Sequence, residues 1–281
     1  MGRMMLGAPN RVPESTLSGG SWEASLPLAN MQDERRTKVA RSVDALATST
    51  IVKGSLSTAR SLRQFRFRNH NCSADAQWRV TLGTTAGDDD IYNSGLLNVW
   101  QMAFDTDLLE WEEGGWWEGI GDDEFLRSPF DAVHVADQYY TAQYWQIEII
   151  DTSNADGYVQ GKAFVSGGLV PARNYSIGAS DTWVDPSEIE RGRSGSEFAT
   201  VLPKVRAASF TLDGLSSAEV EYVHDLYRRL GITGDVGYVP DVDDADAQQR
   251  YGFVGRMVKL DPIRFAQITR RSAGFELIEK L

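Results

Sequence analysis

At 281 residues the chain is long enough for two domains with cores of their own, at roughly one domain per 150 residues. Its apolar fraction of 42% and charged fraction of 24% are those of an ordinary soluble protein and exclude disorder of the whole chain. Acidic residues number 40 against 28 basic ones, and the net charge of -12 argues against a sequence-reading nucleic-acid partner, which needs clustered Lys and Arg to neutralise phosphates.

Cys72 is the single cysteine, so no internal disulfide forms and no cysteine-based metal site is expected. No apolar run of membrane-spanning length occurs, and the apolar part of Met1 to Ala8 is too short for a secretion signal. A chain made in the cytoplasm and remaining soluble is expected.

Residues 1–21 hold Pro9, Pro13, Gly19 and Gly20 among Ser and Thr, with nothing periodic, and read as an extended N-terminal arm. Such an arm is either a frayed terminus or a segment that orders on a neighbouring subunit. From Trp22 to Arg41, Leu26-Pro27-Leu28 and Asp33-Glu34-Arg35-Arg36 read as a solvated connector.

Strands are predicted from there. Ser49 to Leu56 carries Thr50, Ile51 and Val52, and Leu62 to Asn69 places Phe65 and Phe67 on one face. Gln77 to Thr84 turns Trp78, Val80 and Leu82 inward and Arg79 and Thr81 outward. Tyr144 to Val165 carries the strongest local pattern: two runs rich in β-branched and aromatic residues flank Ser153-Asn154-Ala155-Asp156-Gly157 and predict a β-hairpin. Trp145, Ile147 and Ile149 alternate with Gln146, Glu148 and Ile150, so one face lies on a core. Residues 22–177 together predict an antiparallel β-sandwich or jelly roll.

An insertion over residues 88–140 interrupts this pattern, with Trp100, Phe104, Trp111, Trp116, Trp117, Phe125 and Phe130 interleaved with Asp and Glu. Three readings stand side by side: rings packed back on the sandwich, a subunit contact, or a sugar-stacking platform built on Trp100, Trp111, Trp116 and Trp117.

Residues 178–204 are polar, with Asp181, Asp185, Glu188, Glu190, Arg191 and Arg193, and read as a linker. Residues 205–281 follow as an α+β module. Ala207 to Leu212 is a predicted strand, and Ser216-Ser217-Ala218-Glu219 is a capping box that starts a helix. Val220, Val223, Leu226, Tyr227 and Leu230 recur on one face of that helix, Arg228 and Arg229 sit at its negative end, and Gly231 closes it. Short strands are predicted at Val236 to Val239, Tyr251 to Leu260 and Ile263 to Leu277, the last broken near Ser272-Ala273-Gly274. The fold class expected is mainly β: a sandwich followed by one helix on a small antiparallel sheet.

Catalytic chemistry has little to stand on. His70, His134 and His224 are each alone in their neighbourhood, and no Gly-x-Ser-x-Gly elbow or phosphate-cradling glycine motif is present. Asp241-Val242-Asp243-Asp244-Ala245-Asp246 departs from a calcium loop at Ala245, Asp246 and Gly252, and reads as a solvated acidic turn. Asp88-Asp89-Asp90 and Asp122-Asp123-Glu124 have no spacing that identifies an acid and a base. No catalytic residue, metal site or cofactor is expected.

The order of several segments matches a known group. Leu26-Pro27-Leu28-Ala29-Asn30-Met31-Gln32, Val39-Ala40-Arg41-Ser42, Phe65-Arg66-Phe67-Arg68-Asn69-His70-Asn71, Trp78-Arg79-Val80, Tyr144-Trp145-Gln146-Ile147-Glu148-Ile149 and Leu169-Val170-Pro171-Ala172-Arg173-Asn174-Tyr175 resemble tail-associated virion proteins of long-tailed bacteriophages. The first part is similar to their galactose-binding-like jelly roll, from which the 88–140 insertion departs. The second part, with Phe210-Thr211-Leu212, Tyr238-Val239-Pro240-Asp241, Gly252-Phe253-Val254-Gly255 and Phe275-Glu276-Leu277, resembles the ring-forming domain of distal tail and tail-tip proteins.

The resemblance implies a non-enzymatic virion component, assembled in the host cytoplasm, whose copies form a ring near the tail tip and join the tube to the adsorption apparatus. Its implied partners are copies of itself and other tail proteins of the tube, hub and fibres, without membrane insertion. The alternative it carries is a carbohydrate- or receptor-binding module for a host surface glycan.

Overall fold

The computed structural model describes residues 2–100, 131–191, 197–265 and 270–280. Nine strands lead: β1 (Met5–Gly7), β2 (Thr16–Ser18), β3 (Ala40–Arg41), β4 (Ile51–Arg68), β5 (Gln77–Gly83), β6 (Tyr92–Asn93), β7 (Leu97–Asn98), β8 (Ala132–Ile150) and β9 (Gln160–Ser166). Then come β10 (Ser180–Val184), β11 (Glu188–Arg191), β12 (Glu197–Thr200), β13 (Val205–Leu215) and helix α1 (Ser217–Leu230). The chain continues with β14 (Val236–Val239), the short helix α2 (Ala245–Arg250), β15 (Phe253–Met257), β16 (Arg264–Phe265) and β17 (Arg271–Glu279). The described chain is mainly β, with antiparallel sheets and one long helix, as the alternating patterns predict.

The first sheet runs β3-β9-β4-β8-β5-β6, with β2 on β4 and β7 on β5. The predicted inward faces are buried: Trp145, Ile147 and Ile149 on β8, Trp78, Val80 and Leu82 on β5, and Phe65 and Phe67 on β4. The runs expected as separate strands at Ser49 to Leu56 and Leu62 to Asn69 form one strand, because β4 stays paired with β8 across a shift in register between Ser55 and Arg60. Its first half lies beside β2 and its second beside β9, and one contiguous core takes residues from both halves. Long strands that bend at a bulge and run through both layers are one way a sheet becomes a sandwich.

The hairpin expected from Tyr144 to Val165 does not form. β8 and β9 lie on opposite sides of β4, so the two runs are strands that never pair with each other. The connection between them is long enough to step over one strand at about 4.8 Å spacing. Asp151 fixes it from the inside: the buried carboxylate accepts from Ser73 N at 2.9 Å and Asn154 Nδ2 at 2.7 Å, and from the Ser73 hydroxyl.

The second sheet runs β1-β14-β15-β17-β13-β10, with β16 on β17. Residues 1–21 are therefore not an extended arm. Met5 to Gly7 pairs with Val239 to Gly237, Thr16 to Ser18 pairs with Ser55 to Lys53, and Met4, Met5 and Leu6 are buried. The solvated connector is corrected too: Met31 and Arg36 are buried, and Ala40 and Arg41 pair with β9. Residues 178–204 are not a linker either, since Ser180 to Val184 adds an edge strand to β13 and β11 pairs with β12. Helix α1 packs Val220, Val223 and Leu226 on Phe210, Leu212, Phe275 and Leu277. Ser216 accepts from Glu219 N, Glu219 Oε2 accepts from Ser216 N at 2.7 Å, and Gly231 closes the helix at φ 55.

Buried charge joins the two sheets. Arg66 on β4 donates to the Tyr238 carbonyl at 2.6 Å, and Arg36 and Arg206 hold Glu279 at 3.0 and 2.8 Å. Asp131 lies 3.5 Å from Arg68 Nε, 3.6 Å from Arg66 Nη1 and 4.0 Å from Arg36 Nη2. Burial opposes ionisation of Asp131, but Arg68, Arg36 and Arg66 together hold its carboxyl below the usual range; burial, with the neighbouring Arg206 and Arg68, pushes Arg66 down to about 10 against the pull of Asp131 and Glu279. The Glu279 carboxyl is held low against its own burial by Arg206 and Arg36. Gln249 of α2 adds donations to the Val99 and Asp131 carbonyls at 2.9 and 3.3 Å.

Candidate assembly surface

Residues 177–204 carry exposed apolar side chains among charges. Pro186 and Pro203 bracket the segment, and between them Glu188-Ile189-Glu190 and Phe198-Ala199-Thr200 alternate with a two-residue period, which is a strand signal. The base of the resulting hairpin is closed by side chains. The Ser187 side chain first, and then its amide, which donates to Asp185 Oδ1 at 2.9 Å, hold the Asp185 carboxyl below its usual range, and Ser187 Oγ accepts from Leu202 N at 2.9 Å. Near the turn Arg191 Nε donates to Glu197 at 2.8 Å.

Cross-strand register sorts the two faces. Glu188 lies opposite Thr200 and Glu190 opposite Phe198, so those four share one face, while Ile189, Ala199, Arg191 and Glu197 share the other. Every residue of β11 and β12 is exposed; Ile189 is 66% and Phe198 65% accessible, on opposite sides. Neither face lies on the body of the protein. A two-stranded ribbon alone is marginally stable in water, and large apolar groups on both of its faces are what a ribbon covered by another chain carries.

The strand that leads into this hairpin is an open edge. At one end of the second sheet Leu6 and Leu169 exchange backbone bonds at 2.9 and 2.8 Å beyond β1. At the other end β10 pairs with β13 alone among the described residues, and all five of its residues are exposed, Trp183 included. Open edges of this kind template pairing with a further strand.

The tryptophans singled out in the sequence are not gathered into a described platform. Trp100 is half-buried, donates from Nε1 to the Cys72 carbonyl at 3.2 Å and meets His70 edge-on at 5.2 Å, so its ring is engaged by the sandwich. Trp111, Trp116 and Trp117 lie outside the described residues, as do Asp122, Asp123 and Glu124. The rest of the 88–140 span that is described contributes β6, β7 and the start of β8 to the first sheet.

The histidines are dispersed. Burial pushes His70 and His134 down to about 4; His70 stacks on Phe67, and His134 Nε2 is 2.6 Å from the Tyr92 hydroxyl. His224 is exposed on α1. Among the described residues no group of three or more His, Cys, Asp or Glu is arranged to hold a metal ion. Carboxylates of the Asp241 to Asp246 turn serve the backbone: Asp241 accepts from Gly2 N at 2.6 Å, and Asp244 caps α2 by accepting from Ala247 N at 2.9 Å. A groove of about 210 Å³ lies beside α1, lined by Pro9, Arg11, Ser61, Tyr222, Asp225 and Arg229, and most of its polar groups are spent within the chain. Tyr222 donates to the Ala8 carbonyl at 2.6 Å, and Arg229 pairs with Asp225 at 2.7 Å. No described helix is long and apolar enough to cross a membrane.

No family model matches the chain, and no curated protein matches it. Among solved structures it is similar to the carbohydrate-binding module CBM32-1 of a family 31 glycoside hydrolase from Clostridium perfringens, with a TM-score of 0.32 and 10% identity over 54% of this chain and 94% of that one. At that distance the likeness says nothing about a ligand.

Proposed function

We propose that this chain is a structural subunit of a bacteriophage tail, of the distal-tail or tail-tip type, whose copies form a ring that joins the tube to the adsorption apparatus. The observation that carries the reading is the β11–β12 hairpin, exposed on both faces and standing next to the open β10 edge. A lone chain has no use for Ile189 and Phe198 in water on opposite faces of a ribbon, whereas an assembly covers both. The resemblance of several segments to tail-associated virion proteins is what suggests a phage tail as the setting for that assembly.

In this reading the chain does no chemical turnover, and the sandwich projects from the ring. Its acidity favours passage of DNA, because like charge keeps a polyanion from adhering. Imaging of whole particles with the chain labelled tests the proposal directly. Label at the tail tip in a closed ring is the expected result; absence of the label from particles, together with a stable monomer at high concentration, overturns it.

A further inference from the structure

The hairpin has a chemical counterpart at the far end of the same sheet. β11 and β12 join Val184 to Val205, so they leave the sheet where β13 begins. β16 flanks β17 at the opposite end, with Arg264 opposite Ser272 and Phe265 opposite Arg271, and Arg271 lies beside Leu215 at the end of β13. The length of β13 places the two features roughly 30 Å apart at about 3.3 Å per residue.

Their chemistry is reciprocal. One hairpin face presents Glu188, Glu190 and Phe198, and neither glutamate has an ion-pair partner among the described residues. β16 presents Phe265, 76% exposed, with the guanidinium of its cross-strand partner Arg271 4.5 Å from its ring centroid, while Arg264 shares the other face with Ser272. Arg271 has no ion pair among the described residues, and the nearby carboxylates Asp261 and Glu276 are held by Lys259 at 3.7 and 3.3 Å. Each patch is an exposed aromatic ring beside charge that has no ion-pair partner among the described residues, negative at one end and positive at the other.

We propose that these patches are the two halves of one contact between copies of this chain: the Glu188, Glu190 and Phe198 face of one copy seats on Phe265 and Arg271 of the next. The inference rests on the assembly reading above and gives it polarity. A contact between different surfaces at opposite ends of a sheet is heterologous, so repetition runs head to tail and closes into a ring when the rotation permits. Opposite charges set the register, and like charges at the same contact cost several kcal/mol.

The test uses the full chain and two charge-reversed variants, Glu188→Arg with Glu190→Arg, and Arg271→Glu, each checked for native circular dichroism and followed by sedimentation velocity. Wild type is expected to form multimers, each variant to associate about 100-fold or more weakly, and an equimolar mixture of the two variants to recover multimers, since every contact in the mixture again joins opposite charges. Variants that associate like wild type overturn the pairing and leave assembly standing. Two monomeric variants whose mixture stays monomeric also overturn it. A wild-type chain that is itself monomeric overturns the pairing, and the tail reading falls with it only if the labelled chain is also missing from particles.

Discussion

Arg66 and Tyr238 stand 172 positions apart in the chain, yet the Arg66 Nη2 donates to the Tyr238 carbonyl at 2.6 Å in a site closed to water. The bond runs from the first sheet to the second. With Asp131 and Glu279 between Arg36, Arg66, Arg68 and Arg206, it makes the interface between the sheets a charged one that is satisfied mainly from within.

Arg66→Met should therefore destabilise the protein by about 3–5 kcal/mol, because it takes a buried donor from the Tyr238 carbonyl and removes a cation from Asp131. Urea titration followed both by tryptophan fluorescence and by the far-ultraviolet signal of α1 checks this. A lower midpoint, with the two signals no longer coincident, is the expected outcome.

Gly54 is held small by Trp145. A Cβ at position 54 would come within 2.1 Å of the indole ring, which is buried and donates from Nε1 to Ser15 Oγ at 3.1 Å. Gly54→Ala should cost about 1–3 kcal/mol through overpacking. Combination with Trp145→Leu should cost less than the sum of the two changes, and a double-mutant cycle on unfolding free energies measures the difference.

Acid should weaken the fold through the two buried histidines. His70 and His134 are pushed from 6.5 down to about 4 by burial, so between those values the unfolded chain binds more protons than the folded one. Stability present above pH 6.5 is then lost as pH falls towards 4, by up to about 1.4 kcal/mol per pH unit for each histidine. Denaturant midpoints at pH 7, 6 and 5 should fall steadily, and His134→Gln should reduce the slope. A midpoint independent of pH over this range would contradict the buried neutral state of both rings.

Trp100→Ala should register as lost stability. The substitution removes the bond to the Cys72 carbonyl and the edge contact with His70. A loss of about 2–3 kcal/mol in thermal unfolding is expected for a half-buried tryptophan, below the value for a fully buried one. Retention on a glycan array should be the same for both proteins; a selective loss of retention would return this ring to a sugar site.

Ser216→Ala should cost about 1 kcal/mol by leaving the first turn of α1 without its cap. Hydrogen exchange should quicken at Ser217 to Val220 first, since those amides lose the capping arrangement.

The two-residue alternation of Trp145, Ile147 and Ile149, the inward side of β5, and the cap, face and end of α1 were legible in the sequence, because each depends on residues within one or two turns or pleats of each other. What tertiary structure alone decided is which strand lies beside which. Local periodicity is the same whoever the neighbour is, so the two runs around Asn154 read as a hairpin although β4 separates them, and Met5 to Gly7 read as part of a loose terminus although they pair with a strand more than 200 residues away. The burial of Arg66 and Arg68 beside Phe65 and Phe67 was decided the same way: their compensating groups, Asp131 and the Tyr238 carbonyl, come from distant segments, and only the assembled sheets make burial of those charges tolerable. The hairpin at Glu188 to Thr200 shows the converse. Its alternation was present in the residues, but the density of charge concealed it, and only the fold placed it beyond the reach of the protein's own cores.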